Sequence, residues 1–187
     1  MAALLNNSTA SNNTAVGYQS LRGNTTGSEN IAVGFQSLGA NISGSNNVGM
    51  GYAALGSNTT GFRNVAVGSN NGALSSNTTG NDNVALGADA LYSNTTASNN
   101  TAVGKSALAA NITGAYNVSM GSESLEANTT GNFNVGLGYA ALEANTTAAN
   151  NTAVGAYALL RNTTGANNVA VGSLTLDAAT TATGNTD

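Results

Sequence analysis

The side chains that could carry acid–base chemistry in this chain are its carboxylates, because histidine and cysteine are both absent. Their absence removes the commonest general base and the thiol nucleophile. The carboxylates fall mostly at variable positions of the sequence, with no pattern typical of a catalytic pair. We therefore predict that the protein is not an enzyme and needs no cofactor. The acidic residues are Glu29, Asp82, Asp89, Glu123, Glu126, Glu143, Asp177 and Asp187.

Two of these carboxylates, Glu126 and Glu143, are 17 residues apart. That interval is the repeat length of the chain, so the two side chains should lie one above the other as like charges. Such a pair could attract Ca²⁺, which prefers several oxygen ligands. Two carboxylates are too few for a site, and we predict a solvated surface pair and no metal.

The charge and hydropathy of the chain exclude two classes of partner. The net charge is −4 with only four basic residues, whereas nucleic acid needs a cluster of Lys and Arg. No apolar run approaches the length of a membrane span. The segment Met1–Leu5 is too short for a signal peptide and lacks its positive charge. We expect neither nucleic-acid binding nor membrane insertion.

A 17-residue repeat organises residues 1–187 as a single repeat domain. Short fixed periods are typical of solenoids. We number the positions of each copy p1 to p17 and call each copy a coil. Coil four is longer by two residues near 69–72, which predicts a loop bulging from one corner. The coils start at the asparagines at 13, 30, 47, 64, 83, 100, 117, 134, 151 and 168.

The residues tolerated at each position predict the local structure. Position p4 is Val, Met or Leu, p9 is nearly always Leu, p3 is Ala, Gly or Ser, and p5 is always Gly. The alternation at p2–p4 is typical of a β-strand. We expect p2, p4 and p9 to face the core, p3 to face away, and Gly at p5 and p15 to take positive φ. Two short strands and two turns per coil predict an all-β parallel β-solenoid, or β-roll, of about ten coils.

The motif Asn-x-Ala-Val-Gly, as in Asn64-Val-Ala-Val-Gly68 and Asn168-Val-Ala-Val-Gly172, resembles the head repeat of YadA-like trimeric autotransporter adhesins. The longer Asn-Thr-Ala-Val-Gly…Leu…Asn-Thr-Thr-Gly repeat also resembles tail-fibre-like proteins of bacteriophages. The resemblance covers nearly the whole chain. It implies a left-handed β-roll, a side-by-side homotrimer, and an attachment role on the outside of a cell or on a virion. The 17-residue period is longer than the usual head repeat, and no stalk or anchor is recognisable.

Position p3 is the predicted packing surface between chains, because it is never charged and never large. A free solvent face would tolerate Lys or Glu. The alternative is that the chain's own turn crowds this position. The predicted inter-chain column is Ala15, Ala32, Gly49, Ala66, Ala85, Ala102, Ser119, Gly136, Ala153 and Ala170.

Aromatic residues occupy only variable positions, so we expect them to point outward. Exposed aromatics suit contact with a cell-surface receptor or a glycan, or packing between chains. The alternative is that they shield turns of their own coil. Three of them should form one stripe at p6 of the first three coils. The candidate binding residues are Tyr18, Phe35, Tyr52, Tyr116, Phe133 and Tyr139.

The Asn-Thr-Thr corner at p12–p14 supports two further expectations. Its Asn-x-Thr sequons could carry sugar, although a structural role for the corner explains the repetition better. Its threonines also allow an alternative function, ice binding by a Thr/Asn array on a solenoid face. Adjacent strand residues face opposite sides, so only one outward Thr column is predicted.

The two ends of the solenoid do not look like polar caps. We therefore expect either a segment of a longer protein or end-to-end association into filaments. The sequence as a whole predicts a non-catalytic, extracellular, cell-surface or virion-displayed rod. Its function would be adhesion or self-assembly into a fibre, as a homotrimer, a filament or both.

Overall fold

The computed structural model, which describes residues 2–186, confirms the all-β parallel solenoid. Ten three-residue strands form one sheet in chain order. Each strand pairs in parallel with the next, so that Ala32 lies between Ala15 and Gly49. The strands are β1 (Thr14–Val16), β2 (Ile31–Val33), β3 (Val48–Met50), β4 (Val65–Val67), β5 (Val84–Leu86), β6 (Thr101–Val103), β7 (Val118–Met120), β8 (Val135–Leu137), β9 (Thr152–Val154) and β10 (Val169–Val171).

Each coil contains one strand, and the prediction of two was wrong. The rest of the coil is bends and turns that use the left-handed region three times, at p7, p9 and p17. In the first coil these residues are Gln19, Leu21 and Glu29, with φ of 58°, 48° and 61°. A residue with positive φ interrupts extended backbone, so no second run long enough for a strand remains. Coil-to-coil hydrogen bonds nevertheless continue through these turns, as in Leu21 N to Ser37 O at 3.0 Å.

The glycines at p5 and p15 serve different purposes. At p5 the predicted positive φ is confirmed in nine of the ten coils, from Gly17 at 123° to Gly172 at 135°. The exception is Gly68, which precedes the insertion. At p15 the prediction was wrong, since these glycines do not have positive φ. Space is tight there, but Ala97, Ala148 and Ala182 occupy p15 in three coils.

The inward and outward sides of the strands are the reverse of those predicted. Position p3 is buried, whereas p2 and p4 are half-buried or exposed. The core consists of this p3 column, the predicted Leu column at p9 and small residues at p8. The p3 residues therefore pack inside their own chain and cannot contact another chain. In β2 to β10 they are fully buried, and Ala15 in the first coil is half-buried.

The narrow interior of the coil explains this reversal. A β-carbon added to Gly49 would lie 2.6 Å from Ser37 Oγ, 3.0 Å from Ala54 O and 3.3 Å from the Leu38 side chain. Alanine at p3 in the coils after the first is fully buried, and a Val or Met would not fit beside the Leu column. A 17-residue coil encloses one column of large side chains, and the p9 leucines occupy it.

Two buried asparagine ladders run the length of the solenoid. At p12, Asn41 Nδ2 donates to Asn24 Oδ1 at 2.7 Å and to Gly44 O at 2.8 Å. At p1, Asn30 Nδ2 donates to Asn13 Oδ1 at 3.2 Å and also to Gly44 O, at 2.9 Å. One p15 carbonyl thus accepts from both ladders, which satisfies polar groups that would be costly to bury unpaired.

The p12 ladder stops one coil before the p1 ladder. Asn162 Oδ1 is buried and has no hydrogen-bond partner among the described residues, because Ala179 occupies the next p12 position. The p1 ladder continues to Asn185, whose Nδ2 donates to Asn168 Oδ1 at 3.1 Å. The carbonyl of Ala182, at p15 of this last coil, accepts only from Asn168 Nδ2, at 2.8 Å.

We expect Ala179→Asn to raise the free energy of unfolding by about 1 kcal/mol. The added amide would donate to Asn162 Oδ1 and to the Ala182 carbonyl, as in every preceding coil. Chemical denaturation of the two proteins measures the difference. Ala179→Leu provides the control, since it adds similar volume without an amide. Equal effects of the two substitutions would show that volume, and not the missing hydrogen bond, matters here.

The two-residue insertion is a loop, as predicted, and the repeat resumes in phase after it. Val65 pairs with Val84 across 19 residues with no change of register. The loop is tied to the following coil, because Asn70 Nδ2 donates to Asp89 Oδ2 at 2.8 Å.

Candidate interaction surfaces

The p2 and p4 side chains of all ten strands form one continuous apolar surface, which we call the strand face. No charged residue occurs in it, and three threonines at p2 are its only polar residues. Several of its large side chains are more than a third exposed: Val16 58%, Ile31 41%, Met50 41%, Val67 37%, Leu86 36%, Met120 46%, Val169 38% and Val171 59%.

The strand face is the uncovered side of a parallel sheet. All-parallel sheets normally have both faces covered, and this sheet covers only its p3 side with its own core. Large contiguous apolar patches mark interaction sites on soluble proteins. The strand face is therefore the surface of this chain best suited to packing against another protein surface.

The strand face was not predicted from the sequence, although one signal pointed to it. Position p4 alternates among Val, Met and Leu from coil to coil, whereas p3 never exceeds Ser in size. Freedom of size at p4 is typical of a surface, and strict small size at p3 is typical of a narrow interior.

The predicted aromatic stripe at p6 is present. The rings of Tyr18 and Phe35 stack with centroids 5.4 Å apart, and those of Phe35 and Tyr52 with centroids 5.3 Å apart. All three side chains are 40–51% exposed. Because p6 follows the p5 glycine at the end of each strand, this stack borders one margin of the strand face.

The other candidate aromatics lie in separate groups. Tyr116 and Phe133 stack at p17 with a centroid distance of 5.0 Å, next to the opposite margin of the strand face, and both are more than half exposed. Tyr139 makes an edge contact with Tyr157 at 5.2 Å. The neighbouring Glu123 carboxylate raises the pKa of the Tyr139 hydroxyl. The six predicted binding residues are thus all exposed, but they do not form a single site.

The one salt bridge among residues 2–186 also lies at p17. Arg63 Nε is 2.6 Å from Asp82 Oδ1, and the Arg63 guanidinium lies 4.6 Å from the centre of the Phe62 ring. The hydrogen bond from Arg63 lowers the pKa of Asp82. Both groups are substantially exposed to solvent, so the pair adds little stability.

The stacked carboxylates at p10 repel one another, as predicted. Partial burial raises the pKa of the Glu126 carboxyl, and the charges of Glu123 and then Glu143 raise it further, against an opposing effect of Lys105. Within residues 2–186, no three acidic, His or Cys side chains converge as metal ligands would. Asp187 lies outside the described residues.

We expect Glu126→Gln to raise the melting temperature at neutral pH. A raised pKa in the folded state means that Glu126 contributes stability below its ordinary pKa of 4.5 and loses it as the pH rises through the raised value. The variant removes the charge, so its advantage should be largest at pH 7 and disappear well below pH 4.5. Thermal melts of the variant and the native chain across this pH range measure the difference in melting temperature. Glu29→Gln, in a coil with no other acid, is the control for replacing an exposed carboxylate by an amide.

The Asn-Thr-Thr corner has a structural role and also exposes its threonines. The p12 asparagines of the sequons are buried in their ladder, so the folded chain does not present them for glycosylation. The p14 residues are exposed and the p13 threonines of coils one to nine are half-buried, so one Thr column is fully outward, as predicted, although this segment is a bend and not a strand. Ile42 and Ile112 at p13 are 49% and 44% exposed. The p13 hydroxyls donate to the next coil, as in Thr59 Oγ1 to Thr78 O at 3.0 Å.

No family model, curated protein or solved structure matches this chain. Residues 2–186 include no helix with the length and apolar character needed to cross a membrane. The surfaces of the chain itself and the resemblance of its repeat are consequently the basis for inferring a function.

Proposed function

We propose that this protein is a non-catalytic rod for adhesion or fibre formation, built by lateral association of identical chains through the strand face. The exposed, uncharged strand face is the observation that carries the proposal. Since every coil presents the same pair of columns, copies lying side by side would place apolar residues against apolar residues along the whole rod. Burial of this surface would supply the driving force for association.

The number of copies proposed is three. The resemblance of the repeat to trimeric adhesin heads and phage tail fibres supports this number. It also supports an extracellular location, on a cell surface or a virion. The prediction of lateral association is retained, but its surface moves from p3 to p2 and p4. Three strand faces meeting around one axis would cover every sheet on both sides.

The attachment role is supported by the surfaces that such an assembly would leave open. The corner at p13–p14 and the sides at p7, p10 and p11 lie away from the strand face. The aromatic stacks at p6 and p17 border it, where large amphipathic rings suit the margin of an interface or contact with a receptor or glycan.

The association can be tested by measuring solution mass with light scattering after size exclusion. Three times 18.2 kDa is expected for the native chain. Lysines introduced at the centre of the strand face, by Val67→Lys and Leu86→Lys together, should shift the mass to that of a monomer, because buried unpaired charges are unfavourable. The matched control is Thr79→Lys with Thr96→Lys, in the same two coils at the exposed p14 position.

Each result of this measurement has a distinct meaning. A native monomer, or an unaltered trimer in the strand-face variant, would contradict lateral association through this surface. Very large species that persist in the strand-face variant but shrink on dilution would indicate end-to-end filaments instead. The comparison of masses is valid only if circular dichroism shows the native sheet signal for each variant.

Ice binding is the second candidate, and the exposed column of residues at p14 favours it. Position p14 presents an exposed hydroxyl side chain in every coil, Ser43 in coil two and Thr elsewhere, at the repeat distance of the stacked strands. Thermal hysteresis tests it with the same variants. Ice binding requires that the p14 lysines abolish hysteresis and that the strand-face lysines leave it intact. No hysteresis in the native protein would exclude this candidate.

A further inference from the structure

A polar groove of about 370 Å³ lies along one side of the first five coils, away from the strand face. It results from the residues at p10. Coils two to four have Gly39, Gly56 and Ser75 there, whereas coils one and five have Arg22 and Tyr92. The small residues form the floor, and the two large side chains form the ends. Four coil steps of ~4.8 Å separate these ends, a length of about 19 Å.

The insertion loop contributes to the groove wall through Asn71. Its position is held by Asp89 of the next coil, which accepts from Asn71 N at 3.3 Å as well as from Asn70. The insertion occurs in only one coil, and it lies beside the only p10 positions occupied by Gly–Gly–Ser in succession. A wall held in place before a ligand arrives reduces the entropy lost on binding.

Several polar side chains in the groove make no hydrogen bond or salt bridge with the described residues. They are the hydroxyls of Ser57, Ser75 and Ser76 and the guanidinium of Arg22. Across the groove floor, Gln36 Nε2 donates to Gln19 Oε1 at 2.7 Å. The groove therefore offers a row of hydroxyls and amides, a cation at one end and an aromatic ring, 39% exposed, at the other.

These groups fit a sugar chain better than a peptide. A peptide binding as an added strand would need unpaired backbone groups, but here the backbone bonds run from coil to coil, as in Ser57 N to Ser75 O at 3.0 Å. A saccharide instead needs side-chain donors and acceptors for its hydroxyls and an aromatic face for its ring. Arg22 would pair with an anionic substituent, since guanidinium recognises carboxylate and sulfate well.

We propose that this groove binds an extended acidic oligosaccharide, with its anionic group at Arg22 and a sugar ring against Tyr92. The volume lies within the range of small-ligand sites. The proposal extends the attachment role given above, because it assigns a ligand class to one side of the rod. It depends on the coils being folded, and it leaves the strand face free for association.

Isothermal titration calorimetry of the assembled protein tests the proposal with three tetrasaccharides of equal length. They are oligogalacturonate with carboxylates, a carrageenan fragment with sulfates, and neutral cellotetraose. At least one acidic tetrasaccharide should bind more tightly than cellotetraose, and the preferred one identifies the anionic group. Equal binding of all three, or binding of none, would overturn the proposal.

Variants connect the binding to the groove. Arg22→Gln should weaken acidic tetrasaccharide binding by about tenfold or more without changing cellotetraose binding. Gly56→Leu should abolish binding by filling the floor, which tolerates a side chain because p10 is leucine in coil nine. Ala109→Leu, at p10 outside the groove, should bind normally. Native affinity in Gly56→Leu would contradict the site.

Failure of this proposal can be separated from failure of the proposed function. A trimer that binds no acidic sugar would overturn the groove and leave lateral association intact. A monomer that binds acidic sugar in the manner described would support the groove and contradict the trimer.

Discussion

Replacing Gly104 with alanine is expected to lower the free energy of unfolding by at least about 3 kcal/mol. Gly104 has a φ of 133°, a conformation that essentially only glycine adopts. An added β-carbon would lie 2.5 Å from Gly121 O and 2.6 Å from Gly121 C, both backbone atoms of the next coil. Neither atom can move without breaking the coil-to-coil bond from Gly121 N to Val103 O, which is 2.8 Å long.

Urea denaturation of the variant and the native chain measures this loss. The control is Gly56→Ala, because Gly56 lacks a positive φ and p10 is already alanine at Ala109. It should change stability by less than about 1 kcal/mol. Since each coil contacts only its neighbours, the Gly104 variant should also expose the centre of the rod to limited proteolysis. Equal stability of the two variants would mean that the p5 glycine is not required by the backbone.

Asn111→Ala is expected to destabilise the chain by about 3–5 kcal/mol. Asn111 Nδ2 donates to Asn94 Oδ1 at 3.0 Å, and its Oδ1 accepts from Asn128 Nδ2 at 2.9 Å. Removing the amide leaves one buried acceptor and one buried donor unpaired. The Gly114 carbonyl keeps a partner in Asn100 Nδ2 at 2.9 Å, so it adds little to the loss.

The chain provides its own matched control in Asn162→Ala. Asn162 occupies the same position at the end of the ladder, and its Oδ1 already has no partner. Its removal leaves only Asn145 Oδ1 without a donor, so the loss should be clearly smaller than at Asn111. Denaturant melts of both variants measure the two losses in the free energy of unfolding. A loss at Asn162 equal to that at Asn111 would show that the ladder contributes through volume alone.

These ladders also explain why so polar a chain can form a solenoid. Each of coils two to nine buries two asparagines and one leucine, together with small residues, and the asparagines are paired from coil to coil. The rod consequently depends on neighbouring coils for its polar as well as its apolar contacts. The strand face is not part of this internal network, which leaves it available for association.

The candidate surfaces were predictable to different degrees. Aromatic residues at variable positions were expected outside, and the stack of Tyr18, Phe35 and Tyr52 lies where the repeat placed it. The strand face was not predicted, because branched residues at p2 and p4 were assigned to the core. The groove between Arg22 and Tyr92 was not predicted either, since it brings together residues 70 positions apart.

The sequence by itself determined the period, the parallel order of the coils, their register, and the inward leucines, because a fixed repeat stacks each position on itself. Only the tertiary structure decided which side of each strand is the core. The alternation of side chains defines two faces of each strand but does not indicate which face is buried. Which face is buried depends on the width of the closed coil. With the leucines and asparagines inside, that width admits only Ala, Gly or Ser at p3, so Val, Met and Leu at p4 are left on the surface.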